Sequence, residues 1–332
     1  MQSILTVPVD GSVAWKGTDL VRDPSWIHQI TDQDLDEIEL ALRKVKDARL
    51  QPHAIRRKDF PLPTMEARLA SVSNELEWGR GFVQMKGVPV DRLCEDDTRL
   101  VYAGIASYLG TAVSQNAKGD LIGDVRDLGL DIRKQGTRGY QTNTASPFHA
   151  DESDVVGLLC LRPARSGGAS CIVSSVAVYN ALLERYPWYA ALLYRPMNFD
   201  WRGEQPEGAP PVYRWPVFEY FDGRLACRYS RRMIEFAQKT TGVRLTRVET
   251  EAFDILDRLI DELRLDIQFE AGDIQFLNNY VILHSRTEFE DYPEPQRKRH
   301  LLRLWLTSHN GRKLSPEVLG ERNVRAGVPV RS

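Results

Sequence analysis

Phe148-His149-Ala150-Asp151, taken with Leu283-His284-Ser285-Arg286 far downstream, is the stretch on which the reading of this chain turns. In a β-strand, residues i and i+2 share a face about 6.6 Å apart. A strand here therefore lets His149 and Asp151 lean toward one ion, and a strand arriving from much later in the chain adds His284. Two imidazoles and one carboxylate make a facial set for non-haem Fe(II), with open positions for small ligands and O2. A His-x-Asp pair also arises by chance, and a solitary histidine is more often a surface or packed core residue. Context separates this pair from chance: the chain has only six histidines, and these two lie in runs that read as core strands.

The run Phe269-Glu270-Ala271-Gly272-Asp273-Ile274-Gln275-Phe276-Leu277-Asn278-Asn279-Tyr280-Val281-Ile282-Leu283-His284 reads as a strand, a tight turn at Gly272-Asp273, and a second strand over 273–284. Glycine tolerates positive φ there, and the aspartate bonds its own local backbone. Arg299-His300-Leu301-Leu302-Arg303-Leu304-Trp305-Leu306 follows. As a strand it places Arg299, Leu301, Arg303 and Trp305 on one face. Two guanidiniums on an otherwise apolar face are costly to bury without anions. An exposed face, or pairing with buried acids, is the bland alternative.

Together with Gly167-Gly168-Ala169-Ser170, these motifs occur in an order that resembles the taurine dioxygenase and clavaminate synthase-like branch of the Fe(II)/2-oxoglutarate-dependent oxygenases. The resemblance spans most of the chain. It implies a double-stranded β-helix (jelly-roll, cupin-like) core with flanking helices, in an α+β, mainly β protein. Motif order, not composition, selects that fold. His149, Asp151 and His284 would be the iron ligands. Arg299 would grip the distal carboxylate of 2-oxoglutarate through its planar fork. Ser170 falls where the family usually carries a threonine that bonds the same carboxylate. Arg303 matches a position that meets either the substrate's anionic group or the metal-side end of 2-oxoglutarate. Four strand residues span about 13 Å, so the two arginines do not grip one carboxylate together. Relatives that halogenate have a small residue at the position of Asp151, so halogenation is disfavoured.

The implied cofactors are Fe(II), 2-oxoglutarate as cosubstrate, and O2. The implied reaction oxidises, chiefly hydroxylates, an unactivated C–H of a small, anionic organic substrate, releasing succinate and CO2. The same site in relatives can desaturate, epoxidise or cyclise. A cupin-like metal-dependent hydrolase or isomerase working without 2-oxoglutarate is a competing reading, but it does not call for the two arginines. A silent binding module predicts a broken triad.

At 332 residues the chain is long enough for one large core with insertions. We read residues 1–332 as a single oxygenase domain: an N-terminal helical extension over 1–80, and a jelly-roll core over 81–310 with insertions at 114–147 and 176–265. A net charge of −2 gives no footprint for nucleic acid. No apolar run reaches the ~20 residues that cross a bilayer, and no targeting segment is visible. Four cysteines without CxxC spacing suit a reducing cytoplasm. Homo-oligomerisation is left open.

Thr31 should cap a helix carrying Leu35, Ile38, Leu42 and Val45. Further helices are expected over 65–77, over 97–109, from Ser174 or Ser175 to 185, and from the Thr246–Glu249 capping box to 263. Strands are expected over 81–87, 154–162, 169–174, 273–284 and 299–307. The polar stretch 114–147 reads as a substrate lid, with Asn116, Gln141 and Asn143 as amide contacts. Residues 200–216, with Trp201, Tyr213 and Trp215, read as the other pocket wall.

Overall fold

The computed structural model describes residues 4–131 and 137–330. In chain order the core strands are β1 (Ile27–Gln29), β2 (Phe82–Lys86), β3 (Gly110–Val113), β4 (Ile122–Val125), β5 (Ser146–His149), β6 (Val155–Arg162), β7 (Ser170–Ser174), β8 (Leu265–Ile267), β9 (Ile274–Asn278), β10 (Ile282–Arg286) and β11 (His300–Ser308). The larger sheet runs β1-β2-β9-β6-β11-β3, with β4 beside the first half of β11. The smaller runs β8-β7-β10-β5. Only β1 and β2 pair in parallel; the rest of this core is antiparallel. Two such sheets with helices outside are the double-stranded β-helix that the motif order implies.

Alternation along the larger sheet sorts structure from chemistry. Leu302, Leu304 and Leu306 of β11, Val155 and Leu159 of β6, and Ile274 and Phe276 of β9 pack on three helices, Asp32–Asp47, Glu66–Trp78 and Glu95–Ala106. Intervening residues of β11 face the smaller sheet and line a pocket. Gly157 sits on the helix-packed side, where a Cβ would lie 2.4 Å from the Tyr102 hydroxyl. Outside the smaller sheet, helices Ser175–Arg185 and Arg247–Leu263 pack on each other. Phe253, Leu256, Leu259, Ile260 and Leu263 are buried at the spacing the sequence shows. The expected caps are present: Thr31 with Asp34 and Thr246 with Glu249 form capping boxes, and Ser174 Oγ accepts from Ala177 N at 3.0 Å.

Three segments differ from the sequence reading. The N-terminal segment, read as part of a helical extension over 1–80, supplies β1 as an edge strand. Residues 273–284 are two strands in different sheets. The chain turns between them at Asn278, whose Oδ1 accepts from Tyr280 N at 2.9 Å. An unbroken apolar run hides such a crossing, because both strands are buried. The polar stretch 114–147 contributes β4, whose register pairs Val125 with Leu301 and Ile122 with Leu304. Its Ile-Gly-Asp-Val sequence has too little alternation to announce a strand. Gly272 behaves as expected: φ is 87°, and a Cβ there would lie 2.2 Å from the Val88 carbonyl oxygen. Among the described residues, no helix is long and apolar enough to cross a membrane.

Candidate active site

β5 and β10 pair so that His149 and His284 stand directly opposite each other, with ring centroids 4.4 Å apart. Asp151 joins them differently from the expected strand pleat. β5 ends at His149. Ala150 N then donates to the Tyr229 carbonyl at 2.9 Å, and Asp151 N to Asn279 Oδ1 at 3.0 Å. The Asn279 amide donates onward to the Ser153 carbonyl at 3.1 Å. A side-chain amide from the Asn278-Asn279 motif therefore sets the carboxylate's position. Trp305 Nε1 donates to Asp151 Oδ2 at 2.9 Å.

The donor set fits a single metal ion. His149 Nε2 lies 3.8 Å from Asp151 Oδ1, and His284 Nε2 lies 3.8 Å from Asp151 Oδ2. Two donors each about 2.1 Å from a shared ion can be at most ~4.2 Å apart. The protonation states fit as well. Burial lowers both histidine pKa values, that of His284 to about 3, so both rings are neutral ligands at neutral pH. Burial pushes the Asp151 pKa up, but Arg303, the two imidazoles and Trp305 outweigh it and hold the group well below the usual carboxylate range. Glu95, Asp124 and His300 also cluster. There, however, His300 Nε2 donates to Asp124 at 2.7 Å, Arg162 lies 3.0 Å from His300 Nδ1, and Arg99 bonds both acids. Those donors are committed to an ion-pair network.

Arg299, Leu301, Arg303 and Trp305 line the pocket from one face of β11, as alternation requires. Arg299 is buried and its Nη1 has no hydrogen-bond partner; burial lowers its pKa to about 10. Arg286, two residues beyond His284 on β10, is beside it. Burial and the charge of Arg299 bring Arg286 to about 10, and its Nε is also unpartnered. Both guanidiniums lie over the Phe289 ring, at 5.0 and 4.8 Å. Gly168 leaves room for them: a Cβ there would approach Arg299 Nε to 3.1 Å. Ser170 lines the same pocket and donates to Gln275 Oε1 at 2.7 Å. Two adjacent buried cations with unpaired N–H groups make a seat for a carboxylate.

Arg303 is held at the metal side. Its Nε donates to Gln115 Oε1 at 2.7 Å, its Nη1 is 3.6 Å from Asp151 Oδ2, and it lies over Tyr140 and Trp305 at 4.8 and 4.9 Å. Two of the amides expected to reach substrate, Asn116 and Gln141, make local bonds instead. Asn116 builds a local turn, accepting from Lys118 N at 3.0 Å, and Gln141 Oε1 accepts from Arg138 N at 3.1 Å. Gln115, one residue from the expected Asn116, is the amide that reaches the site. Of the expected lid, residues 132–136 lie outside the described residues; Val125 and Arg138–Tyr140 line the pocket. Trp201, Tyr213 and Trp215 are core residues rather than pocket wall, with Phe199 stacked on Tyr213 at 5.5 Å. From that segment Arg202 faces the pocket. Arg286 could have been found from its i+2 spacing to His284. Arg202, in a Pro/Gly-rich loop, carries no such signal.

Comparison with known proteins agrees with this geometry. Residues 46–305 match the model of the "Taurine catabolism dioxygenase TauD, TfdA family". The chain is 34% identical over 321 residues to FR-33289 synthase of Streptomyces rubellomurinus (strain ATCC 31215), covering 94% of each chain. It is 29% identical over 307 residues to the taurine hydroxylase-like protein SAT17 of Stachybotrys chartarum (strain CBS 109288 / IBT 7711), covering 89% of this chain and 79% of that one. Among solved structures, asparagine oxygenase in complex with Fe(II), 2S,3S-3-hydroxyasparagine and succinate superposes with a TM-score of 0.68 at 19% identity, over 85% of this chain and 94% of that one. With the triad assembled and a carboxylate seat beside it, the chain belongs to the TauD/TfdA family and is an oxygenase dependent on Fe(II) and 2-oxoglutarate.

Proposed function

We propose that the enzyme hydroxylates an unactivated C–H bond of a small anionic substrate, with 2-oxoglutarate converted to succinate and CO2. One observation carries this reading. Among the described residues, the pocket that holds His149, Asp151 and His284 is lined by six arginines and two carboxylates, Asp151 and Glu152. The arginines fall into an Arg286/Arg299 pair, Arg303 beside Asp151, and an outer group of Arg138, Arg202 and Arg232. That surplus of positive charge suits one dianionic cosubstrate and a second anion.

Fe(II) bound by the triad would supply O2 activation at its open positions. The chain's residues do the rest. Arg299 and Arg286 anchor the distal carboxylate of 2-oxoglutarate, with the Ser170 hydroxyl beside them. Arg303 and Trp305 fix the Asp151 carboxylate, and Gln115 holds Arg303 in place. Leu158, Phe269 and Leu301 supply an apolar lining that keeps water from the reacting centre. Reaction of the Fe(II)-loaded enzyme with 2-oxoglutarate and a panel of small anions tests the reading. Succinate release and substrate-plus-16 mass in equal amounts are expected. A productive neutral or cationic substrate, with anions inert, would refute the anionic assignment.

A further inference from the structure

Asp151 is held by its backbone as well as by its carboxylate. We infer that Arg228 is a positioning residue for the iron site: it sets Asp151 by clamping the chain at Asp151-Glu152, and Arg322 supports it through Glu152. This role is the same whichever substrate the enzyme takes.

Backbone pairing brings the arginine there. His149 forms an antiparallel bridge with Ser230, and Ala150 N donates to the Tyr229 carbonyl at 2.9 Å. Residues 228–230 therefore run alongside 149–151, and Arg228 comes level with Asp151. Its Nη1 donates to the Asp151 carbonyl at 3.4 Å, and its Nη2 lies 3.1 Å from Glu152 Oε1. The carbonyl contact is long for a neutral pair. A charged donor buried to 5% exposure gives it more weight than its length implies. The Asp151 N–H is already taken by Asn279. With Arg228 on the carbonyl, both backbone polar groups of Asp151 are held, and the next side chain is tied to the same guanidinium.

Trp201, Tyr213 and Trp215 supply the support from the core. Tyr213 and Trp215 share a face of the strand Val212–Pro216, and Trp201 meets Tyr213 edge-on at 4.9 Å. Arg228 lies over Trp215 and Tyr213 at 5.3 and 5.8 Å, and Arg322 over Trp201 and Tyr213 at 4.1 and 5.1 Å. Glu152 gives Oε2 to Arg322, and Oε1 to Arg228 and to the Tyr213 hydroxyl, which donates at 3.1 Å. The Tyr213 oxygen in turn accepts from Arg228 Nη2 at 3.1 Å. Burying Glu152, Arg228 and Arg322 together is costly, and ion clusters of this kind often add nothing to stability over apolar residues of similar volume. Two planar forks among stacked rings do restrict where Glu152 can sit. A carboxylate ligand on a fixed backbone gives up less freedom when it takes a metal. Partners that orient metal ligands typically change metal affinity by about ten- to a hundredfold.

The test is Mn(II) calorimetry of the metal-free enzyme, set beside its unfolding midpoint in urea. Arg228→Met should weaken Mn(II) binding about tenfold or more. Arg228→Lys keeps a charge for Glu152 but has no fork to reach the Asp151 carbonyl as well, so it should keep most of the stability and still lose about fivefold. Tyr213→Phe preserves the ring packing, removes the hydroxyl, and should lose about threefold. Arg68→Met is the control. Arg68 pairs with buried Asp34 between the helices Asp32–Asp47 and Glu66–Trp78, which pack outside the larger sheet. Its loss should destabilise the fold while Mn(II) affinity stays within about twofold.

Unchanged Mn(II) affinity in both Arg228→Lys and Tyr213→Phe would overturn the inference, and these two decide the matter if Arg228→Met does not fold. So would an affinity loss in Arg68→Met that matches the Arg228 variants at equal loss of stability, since affinity would then follow stability alone. A wild type that binds no Mn(II) would overturn the metal site itself, and this role with it.

Discussion

Replacing Arg299 by methionine should change stability and cosubstrate binding in opposite directions. In the ligand-free protein Arg299 is 4% exposed, and burial lowers its pKa from the ordinary arginine range to about 10. At ~1.4 kcal/mol per pKa unit, keeping this guanidinium charged costs the fold about 3 kcal/mol. Nothing repays that cost through the buried Nη1, which has no partner. Arg286 adds to it, because each cation disfavours the other's charge. The contact with the Phe289 ring at 5.0 Å returns about 1 kcal/mol. Arg299→Met should therefore stabilise the ligand-free protein by about 2 kcal/mol. The same change would remove the two charge-assisted hydrogen bonds proposed to the distal carboxylate of 2-oxoglutarate, each worth about 1.5–3 kcal/mol. Affinity for 2-oxoglutarate should fall at least about a hundredfold. Urea unfolding of the ligand-free protein and calorimetry with Mn(II) and 2-oxoglutarate measure the two effects. A destabilised variant would mean that the guanidinium has a structural role, and undiminished 2-oxoglutarate affinity would put the carboxylate seat elsewhere.

Other consequences follow from single contacts. Trp305→Phe keeps the packing but removes the 2.9 Å hydrogen bond to Asp151, so Fe(II) affinity in anaerobic titration should drop about tenfold, with little change in stability. Gly157→Ala forces a Cβ to 2.4 Å from the Tyr102 hydroxyl and should cost about 1–3 kcal/mol in urea unfolding. Asp124 has its pKa lowered to about 2, first by the His300 hydrogen bond and then by Arg99, against desolvation. A depressed carboxylate stabilises the fold above its unfolded pKa near 3.8, and that contribution is lost as pH falls through about 2. Its side chain is 38% exposed, so solvent screening discounts the effect. Asp124→Asn should cost about 1 kcal/mol at pH 7, and the difference from wild type should shrink between pH 4 and pH 2.

The metal site was legible because its residues sit in strong local patterns. His284 lies in an apolar strand, Arg299 and Arg303 alternate with leucines, and Gly272-Asp273 marks a turn. Alternation on β11 placed Arg299, Leu301, Arg303 and Trp305 on the pocket face correctly. The HxD spacing pointed to side chains that do cluster with His284, but through a different local geometry, since Asp151 is aimed by Asn279 after the strand has ended. What the sequence hid depends on tertiary placement. Gln115 and Asn116 are both amides in one polar loop, and only the chain's path past β11 decides which reaches Arg303. Trp201, Tyr213 and Trp215 resemble a binding wall in composition, but they are large apolar groups and the core claims them. Arg202 is left as the pocket residue of that segment through a backbone conformation that no periodicity encodes.

The most direct test of the site is anaerobic titration of Fe(II) and 2-oxoglutarate into wild type, His149→Ala and His284→Ala, read by bound metal and by the weak visible charge-transfer band of the complex. Wild type should bind one Fe(II) per chain and show the band on adding 2-oxoglutarate, and both variants should lose tight metal binding and the band. Unchanged metal stoichiometry and an unchanged band in both variants would contradict the assignment of His149, Asp151 and His284 as the iron site.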